Sequence, residues 1–195
     1  MAENDSDDRS TRGEEQTPPD AADEIAEAWR QERPGTPVES IGVVTRLWRL
    51  AKLFGEDRRR VLSDSGVDSA TLDLLSVIRR SSAPYRLTTR QLSELTLVSA
   101  GAISQRVAKA ERDGLVVRWP DPGPDRCMWV ELTRDGHALV ERTVDRVLSR
   151  ELELLQGLDH EQRHQLGDLL RTLLRDVQER QGDHGVSHVG ETGTP

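Results

Sequence analysis

The sequence is poor in cysteine, because its 195 residues include only Cys127. One thiol excludes an internal disulfide and any site built from several cysteines, and it favours a reducing compartment. No run approaches the ~18 consecutive apolar residues of a membrane-spanning helix. Residues 3–8 are mostly acidic, the opposite of the basic start of a signal peptide, so we expect a cytoplasmic protein.

Apolar residues are also scarce, since 34% of the chain is hydrophobic and 32% is charged. That composition supports one modest core with additional polar segments. The formal net charge of −8 would disfavour a polyanionic partner if it were evenly spread. Residues 1–36 carry −7 and residues 181–195 carry −2, whereas residues 79–134 carry +4. The acidity therefore lies mainly in the tails and does not exclude nucleic acid.

The two ends of the chain have compositions typical of disorder. Residues 1–22 form an acidic tail with almost no apolar content, and residues 181–195 are rich in Gly and His. Residues 23–36 place Ile25, Ala26 and Trp29 at helical spacing ahead of Pro34. This spacing predicts a short added N-terminal helix followed by a linker.

The body of the chain shows helical periodicity that is interrupted once. Apolar residues at helical spacing, together with capping residues, predict six helices. Their expected starts or caps are Val38, Asp68 or Ser69, Thr88 or Thr89, Ser99, Thr133 and Asp159. Between the fourth and fifth helices, two short strands at 115–117 and 128–130 are expected to flank a loop rich in Pro and Gly.

The order of helix, tight turn, helix and hairpin over residues 67–134 predicts a winged helix-turn-helix within a mainly α fold. At about 100° per residue, Ile103, Val107 and Ala110 share the core face of the second helix. Its outer face and N-terminus are expected to contact DNA through Ser99, Gly101, Ala102, Gln105 and Lys109. Arg126, at the end of the hairpin loop, is the candidate wing contact to phosphate or the minor groove.

Arg106 lies on the shoulder of the core face and should therefore point inward or sideways rather than into a DNA groove. An unpaired buried guanidinium is costly, so this residue needs a partner. Asp73, on the helix expected to start at Asp68 or Ser69, is a plausible counter-charge. The pair could equally be a structural salt bridge that binds no ligand.

The run LTTRQLSELTLVSAGAISQRVAKAERDGLVVR, followed by Asp125 and Arg126, resembles the DNA-binding lobe of the MarR family. The resemblance implies a dimeric transcription regulator that binds a pseudo-palindromic operator on double-stranded DNA. It also implies that residues 37–66 and 135–180 form a helical dimerisation region. Two-fold symmetry would then place the half-sites ~10 bp apart.

A narrower resemblance is to the PecS-like, urate-responsive branch of that family, through the segments IAEAWRQERP and RRSSAPY. The branch's ligand set falls on Trp29, Asp73, Arg106 and Arg118. The resemblance implies that an anionic purine such as urate displaces the aspartate and shifts the recognition helix, which lowers DNA affinity. The wing departs from the branch, since PGPDRCMW has one arginine where two are expected, and this implies weaker phosphate anchoring.

Several alternatives remain open from the residues alone. Trp29 could merely attach the added helix to the body, and Arg118 could contact phosphate instead of an effector. The effector could be a phenolic or carboxylic compound, or the winged helix could serve as a dimeric scaffold that binds protein and not DNA. Cys127 could be a redox sensor, although no activating group is evident in the sequence.

We expect no enzyme activity, because no grouping of nucleophile, base and orienting residue and no phosphate loop is evident. We also expect no cofactor and no metal. His160 and His164 have the spacing of two helical metal ligands, but no third ligand accompanies them, and a solvated helix face explains them better.

Overall fold

The computed structural model describes residues 18–120 and 128–181, which form seven helices and three strands. In chain order these are α1 (Ala21–Glu32), α2 (Glu39–Asp64), α3 (Ser69–Arg80), β1 (Arg86–Thr88), α4 (Thr89–Thr96), α5 (Ala100–Arg112), β2 (Val116–Pro120), β3 (Met128–Leu132), α6 (Arg134–Leu154) and α7 (His160–Gln181). Within these ranges no helix is both long enough and apolar enough to cross a membrane.

The chain divides into two compact units at Leu50, within α2. In the first unit, Asp20 caps α1 by accepting a hydrogen bond from the backbone of Ala22 at 2.8 Å. Arg46 of α2 donates to the carboxylates of Asp20 and Asp23 at 3.0 and 2.7 Å. The hydrogen bond from Arg46 lowers the pKa of Asp20 to about 2. The added helix predicted from the sequence therefore forms, and ion pairs join its start to α2.

The second unit is built around α3, which buries seven of its twelve residues. This helix packs against α4, α5, α6 and the sheet. The largest fully buried apolar side chains come from all of these elements: Leu74, Leu75, Ile78, Leu92, Ile103, Val107, Val116, Val130 and Val140. Since α3 lies at the centre of this core, it holds the helix-turn-helix and the sheet together.

The sheet has three antiparallel strands in the order β1-β3-β2, where the sequence predicts a two-stranded hairpin. The additional strand β1 pairs with β3, with Leu87 opposite Val130. Three residues are too few to show an alternating pattern, and their partner strand lies more than forty residues later in the sequence. The strand was missed because only tertiary pairing defines it.

The helix caps follow the sequence prediction closely. Asp68, Thr88, Ser99 and Thr133 each accept a hydrogen bond from a backbone N–H in the first turn of the helix that follows. Gly114 follows the last turn of α5 with φ +72°, the left-handed conformation that glycine adopts without strain. α5 therefore begins and ends where its sequence signals predict.

The start of α6 is joined to the end of α5 by hydrogen bonds from Thr133 to backbone carbonyls. The amide of Thr133 donates to the carbonyl of Leu115 at 3.0 Å, and its hydroxyl donates to the carbonyl of Gly114 at 2.8 Å. Gly136 is buried so close to the Leu115 carbonyl that a Cβ at this position would overlap the oxygen. Only glycine fits at this junction.

Candidate nucleic-acid interface and effector groove

α5 has one buried face and one exposed face. Ile103, Val107 and Ala110 are at most 1% exposed, as their helical spacing predicts. On the other side lie the sequence-predicted contact residues: Ser99, Gly101, Gln105 and Lys109 are exposed and Ala102 is half-buried. Their contact with DNA stays a prediction, but the structure leaves this side of the helix accessible.

The N-terminal turn of α5 has small side chains and open space in front of them. Ser99 caps the helix, with its hydroxyl oxygen 3.4 Å from the amide of Ala102. A Cβ at Gly101 would meet no atom within 4 Å, so packing does not require glycine there. Glycine in a helix interior is less stable than alanine by about 1 kcal/mol. Its presence on an open face is consistent with close approach of a partner surface.

Lys109 has an intramolecular partner that the sequence analysis missed. Its ammonium group lies against the carboxylate of Asp68, which also caps α3 by accepting from the amide of Thr71 at 2.7 Å. Burial opposes ionisation of Asp68, but hydrogen bonds from Lys109 and Thr71 hold its pKa below the usual value. The hydrogen bond to Asp68 also raises the pKa of Lys109. Lys109 therefore has a carboxylate partner within the chain, and its predicted contact with DNA would compete with that ion pair.

The predicted wing contact, Arg126, lies in residues 121–127, outside the part of the chain that the structure describes. Cys127 lies in the same segment. Their predicted roles stay predictions.

Asp73 lies on α3, is 9% exposed, and lines an open groove of about 730 Å³ between α3 and α6. The groove has apolar walls from α3 and α6, including Leu72, Val77, Val140, Val144 and Val147. Basic and acidic residues also line it: Arg58, Arg79, Arg80, Glu141, Asp145 and Glu151. Such a groove suits a flat organic molecule that carries a few polar groups.

Arg106 lies on α5, on the flank of its buried face, and is half-buried. Its Nη1 atom is fully buried and makes no hydrogen bond to any described residue. A buried donor without an acceptor is costly, so this nitrogen marks a place where an acceptor would be stabilising. The expectation that Arg106 points inward rather than toward a DNA groove agrees with this position.

Arg118 lies on β2, and the structure does not bring it to the groove that Asp73 lines. Its Nε is 2.8 Å from a carboxylate oxygen of Glu111 on α5, and both side chains are about one-third exposed. Arg118 instead lines a second cavity of about 400 Å³, together with residues of α4, α5 and β3. The two cavities share no lining residue. The four residues of the expected ligand set therefore do not all line one cavity.

Trp29, the remaining member of that set, lies on α1 and is 49% exposed. The buried residues of this helix are Ala22 and Ala26, and Trp29 is not one of them. About half of the surface of Trp29 is therefore exposed.

α7 differs from the other long helices, because none of its 22 residues is buried. Five of its leucines are 38–69% exposed: Leu166, Leu169, Leu170, Leu173 and Leu174. On α6, Leu148 and Leu152 are each 56% exposed. Contiguous exposed apolar rows of this kind mark interaction surfaces.

The two histidines at metal-ligand spacing have an ordinary surface environment. Nδ1 of His164 is 3.2 Å from the carboxylate of Asp168, and both side chains are about half exposed or more. Across residues 18–120 and 128–181, no group of three or more His, Cys, Asp or Glu side chains could hold a metal ion.

The winged segment is similar to a known family of regulators. Residues 65–126 match the family model described as the MarR family. PecS, an HTH-type transcriptional regulator of Dickeya dadantii (strain 3937), is 29% identical over 147 residues, which cover 75% of this chain and 89% of PecS.

Solved structures share the fold. A mutant of MarR from E. coli, in complex with operator DNA, is 25% identical with a TM-score of 0.55, and the match covers 70% of this chain and 98% of that one. A MarR family transcriptional regulator from Streptomyces coelicolor has a TM-score of 0.57 at 22% identity, covering 78% of this chain and 100% of that one. These likenesses confirm the mainly helical winged helix-turn-helix fold expected from the sequence.

Proposed function

We propose that this chain, which is similar to MarR-family transcriptional regulators, is itself such a regulator and acts as a repressor that binds a pseudo-palindromic operator as a homodimer. In this proposal a small anionic effector, with urate or a related purine favoured, lowers its affinity for the operator. The regulator then releases the DNA when the effector accumulates.

The observation that carries the DNA-binding proposal is the exposed face of α5. Its small N-terminal residues allow close approach, and Gln105 and Lys109 supply hydrogen-bond donors to base edges and phosphates. The relative from E. coli was solved with operator DNA, which supports the same partner here. The net charge of +4 over residues 79–134 provides the electrostatic attraction.

The observation that supports a dimer is the unburied α7. Among residues 18–120 and 128–181, nothing covers the five exposed leucines of this helix, and none of its residues is buried. A second copy offers the same row of leucines, and a two-fold axis would bury both rows against each other. Two recognition helices on one dimer would then read two half-sites.

The effector proposal depends on Asp73 and Arg106. The Nη1 atom of Arg106 is buried and has no hydrogen-bond acceptor among the described residues, and an anionic purine would supply one. An anion bound nearby would repel the carboxylate of Asp73, which lines the groove on α3. Because α3 packs against α5, a displaced Asp73 would disturb the recognition helix. Trp29 is proposed to stack on the effector.

A gel-shift titration tests both parts of this function. The full chain should bind one operator-containing fragment from its own upstream region more tightly than competitor duplex at physiological salt. Urate should then release it, whereas hypoxanthine, a purine that is uncharged at neutral pH, should release it less. Trp29→Phe should weaken the response to urate without changing DNA affinity. Absence of any sequence preference would instead favour the protein-binding scaffold.

A phenolic or carboxylic effector is the second candidate, because the walls of the groove between α3 and α6 are largely apolar. Salicylate and benzoate belong in the same titration. If either of them raises the melting temperature and releases the DNA while urate does neither, the effector is an aromatic acid and the purine proposal is wrong.

A further inference from the structure

The second cavity, which we call the wing cleft, has a lining suited to an oxyanion. Thr89 and Ser93 of α4, Ser104 of α5, Arg90 of α4 and Arg118 of β2 surround about 400 Å³ of open space. Hydroxyl and guanidinium groups are among the side-chain groups that bind phosphate oxygens. One acid, Glu94, also lines the cleft, and it is bound at 3.1 Å by Nε of Arg90.

Arg118 is placed on the inner side of the sheet by its register. It is paired across the strands with Val130, which is fully buried, whereas the neighbouring Val117 is 48% exposed on the other side. The Nε edge of its guanidinium faces Glu111, and neither Nη atom hydrogen-bonds to a described residue. An ion pair with both partners one-third exposed contributes little, so a phosphate can compete for this arginine.

Two hydroxyl groups of the cleft can still donate a hydrogen bond. Thr89 Oγ1 accepts from the amide of Met128 at 3.4 Å, which leaves its own proton free for an acceptor. Ser104 is exposed on α5 and has no hydrogen bond to its side chain among the described residues. The hydroxyl of Ser93 is already used, because it donates to the carbonyl of Val98.

The cleft opens beside the face proposed to read DNA. Ser104 lies three residues after Gly101, and at about 100° per residue the two are only about 60° apart around the helix. A duplex placed with its major groove against Gly101 and Gln105 would therefore run its sugar-phosphate backbone past Ser104.

We propose that the wing cleft binds one phosphate of the DNA backbone, with Arg118 as the charged contact and Thr89 and Ser104 as hydroxyl donors. This inference rests on the DNA-binding function proposed above. It assigns Arg118 to the DNA interface rather than to the effector set, because Arg118 lines a different cavity from Asp73.

The test combines a protein variant with neutralised phosphates. Operator duplexes that carry a single uncharged methylphosphonate at successive positions are titrated with the wild-type protein and with Arg118→Gln. The variant should bind the unmodified operator about tenfold more weakly, as expected for a lost charged hydrogen bond. Its slope of log K against log salt should be smaller by about 0.9, the value of one phosphate. One methylphosphonate position should weaken the wild type and leave the variant unaffected.

Arg142→Gln is the matched control, because it removes the same charge from an exposed position on α6, which does not line the wing cleft. It should keep the full sensitivity to the identified phosphate. Ser104→Ala, a conservative change at an exposed position, should reproduce part of the loss of DNA affinity. It replaces Arg118→Gln in the test if that variant does not fold. Circular dichroism melting reports the folding of each variant.

The outcomes separate this proposal from the general function. If the wild type does not bind DNA, the proposed function fails. If the wild type binds but Arg118→Gln keeps its affinity and salt slope while losing its response to urate, the residue belongs to the effector site and the cleft proposal is wrong. If inorganic phosphate raises the melting temperature of the wild type but no methylphosphonate effect is lost in the variant, the cleft takes a free anion and the proposal is also wrong.

Discussion

α3 and α7 are both amphipathic helices, but most apolar residues of α3 are buried and most of those of α7 are exposed. α3 has twelve residues and buries seven of them, whereas α7 has 22 residues and buries none. α3 finds all its partners within one chain, in α4, α5, α6 and the sheet. The leucines of α7 remain exposed. The contrast separates the helix that is packed within the described chain from the helix whose exposed leucines the proposed dimer would bury.

The largest effect is expected from the core of α3. Leu75 is fully buried, so Leu75→Ala should lower the free energy of unfolding by about 2–5 kcal/mol, because it leaves a cavity. Leu169→Ala, at a position 69% exposed on α7, is the control in urea titrations performed at a concentration that favours the monomer. Similar losses for the two variants would mean that α7 is packed within its own chain.

The second effect concerns assembly. Leu169→Asp would place an unpaired charge in the proposed dimer interface, which should weaken association by about 3 kcal/mol or more. Sedimentation equilibrium measures this, and circular dichroism should show an unchanged helix content. His164→Asp adds the same charge about 140° away from Leu169 around the helix and should leave the dimer intact. A wild-type protein that is monomeric at every concentration would contradict the role given to α7.

The third effect lies at the N-terminus of α3, where Asp68 caps the helix and holds Lys109. Asp68→Ala should destabilise the protein by about 1 kcal/mol, and Asp68→Asn by less, because asparagine is also a good cap. Both variants release Lys109 and should bind DNA more tightly. Unchanged DNA affinity in both would show that Lys109 does not contact phosphate.

The pH dependence of this site follows from the lowered pKa of Asp68. A carboxyl whose pKa is lower in the folded than in the unfolded protein stabilises the fold above its unfolded pKa, about 3.9. That contribution is lost as the pH falls through the lowered value. The difference between wild type and Asp68→Ala should therefore shrink in acid, and urea titrations at several pH values measure it.

The smallest effect is expected on the surface of α7. Asp168 forms an ion pair with Arg171 one turn along, and both side chains are about half exposed or more. Asp168→Ala should change the free energy of unfolding by less than about 0.5 kcal/mol, because exposed pairs are screened by water. Urea titration of the two proteins side by side gives the value. If Asp168→Ala lowered the free energy of unfolding as much as Asp68→Ala does, the surface ion pair would contribute as much to stability as the helix cap.

Local signals explain most of what the sequence predicts correctly. The capping residues Asp68, Ser99 and Thr133 act within a single helical turn, and the buried face of α5 follows from the helical repeat alone. These features need no knowledge of distant residues, so they can be derived from a single chain.

Features that depend on distant residues were missed or only partly predicted. The pairing of β1 with β3 and the contact of Lys109 with Asp68 both join segments about forty residues apart. The expected ligand set placed Arg118 with Asp73, but strand register turns Arg118 toward α4 and α5. Residue types alone carry no information on which of two cavities a side chain will line.

The backbone junction between α5 and α6 has a consequence for operator geometry. The amide of Thr133 and the backbone of Gly136 pack directly against the carbonyl of Leu115, and the Thr133 hydroxyl adds a hydrogen bond to the carbonyl of Gly114. These contacts to main-chain carbonyls hold the end of α5 and the start of α6 close together. In a dimer assembled through the C-terminal helices, the distance between the two recognition helices would therefore be fixed by main-chain dimensions. Surface residues could then diverge among relatives without altering the spacing of the DNA half-sites that each one reads.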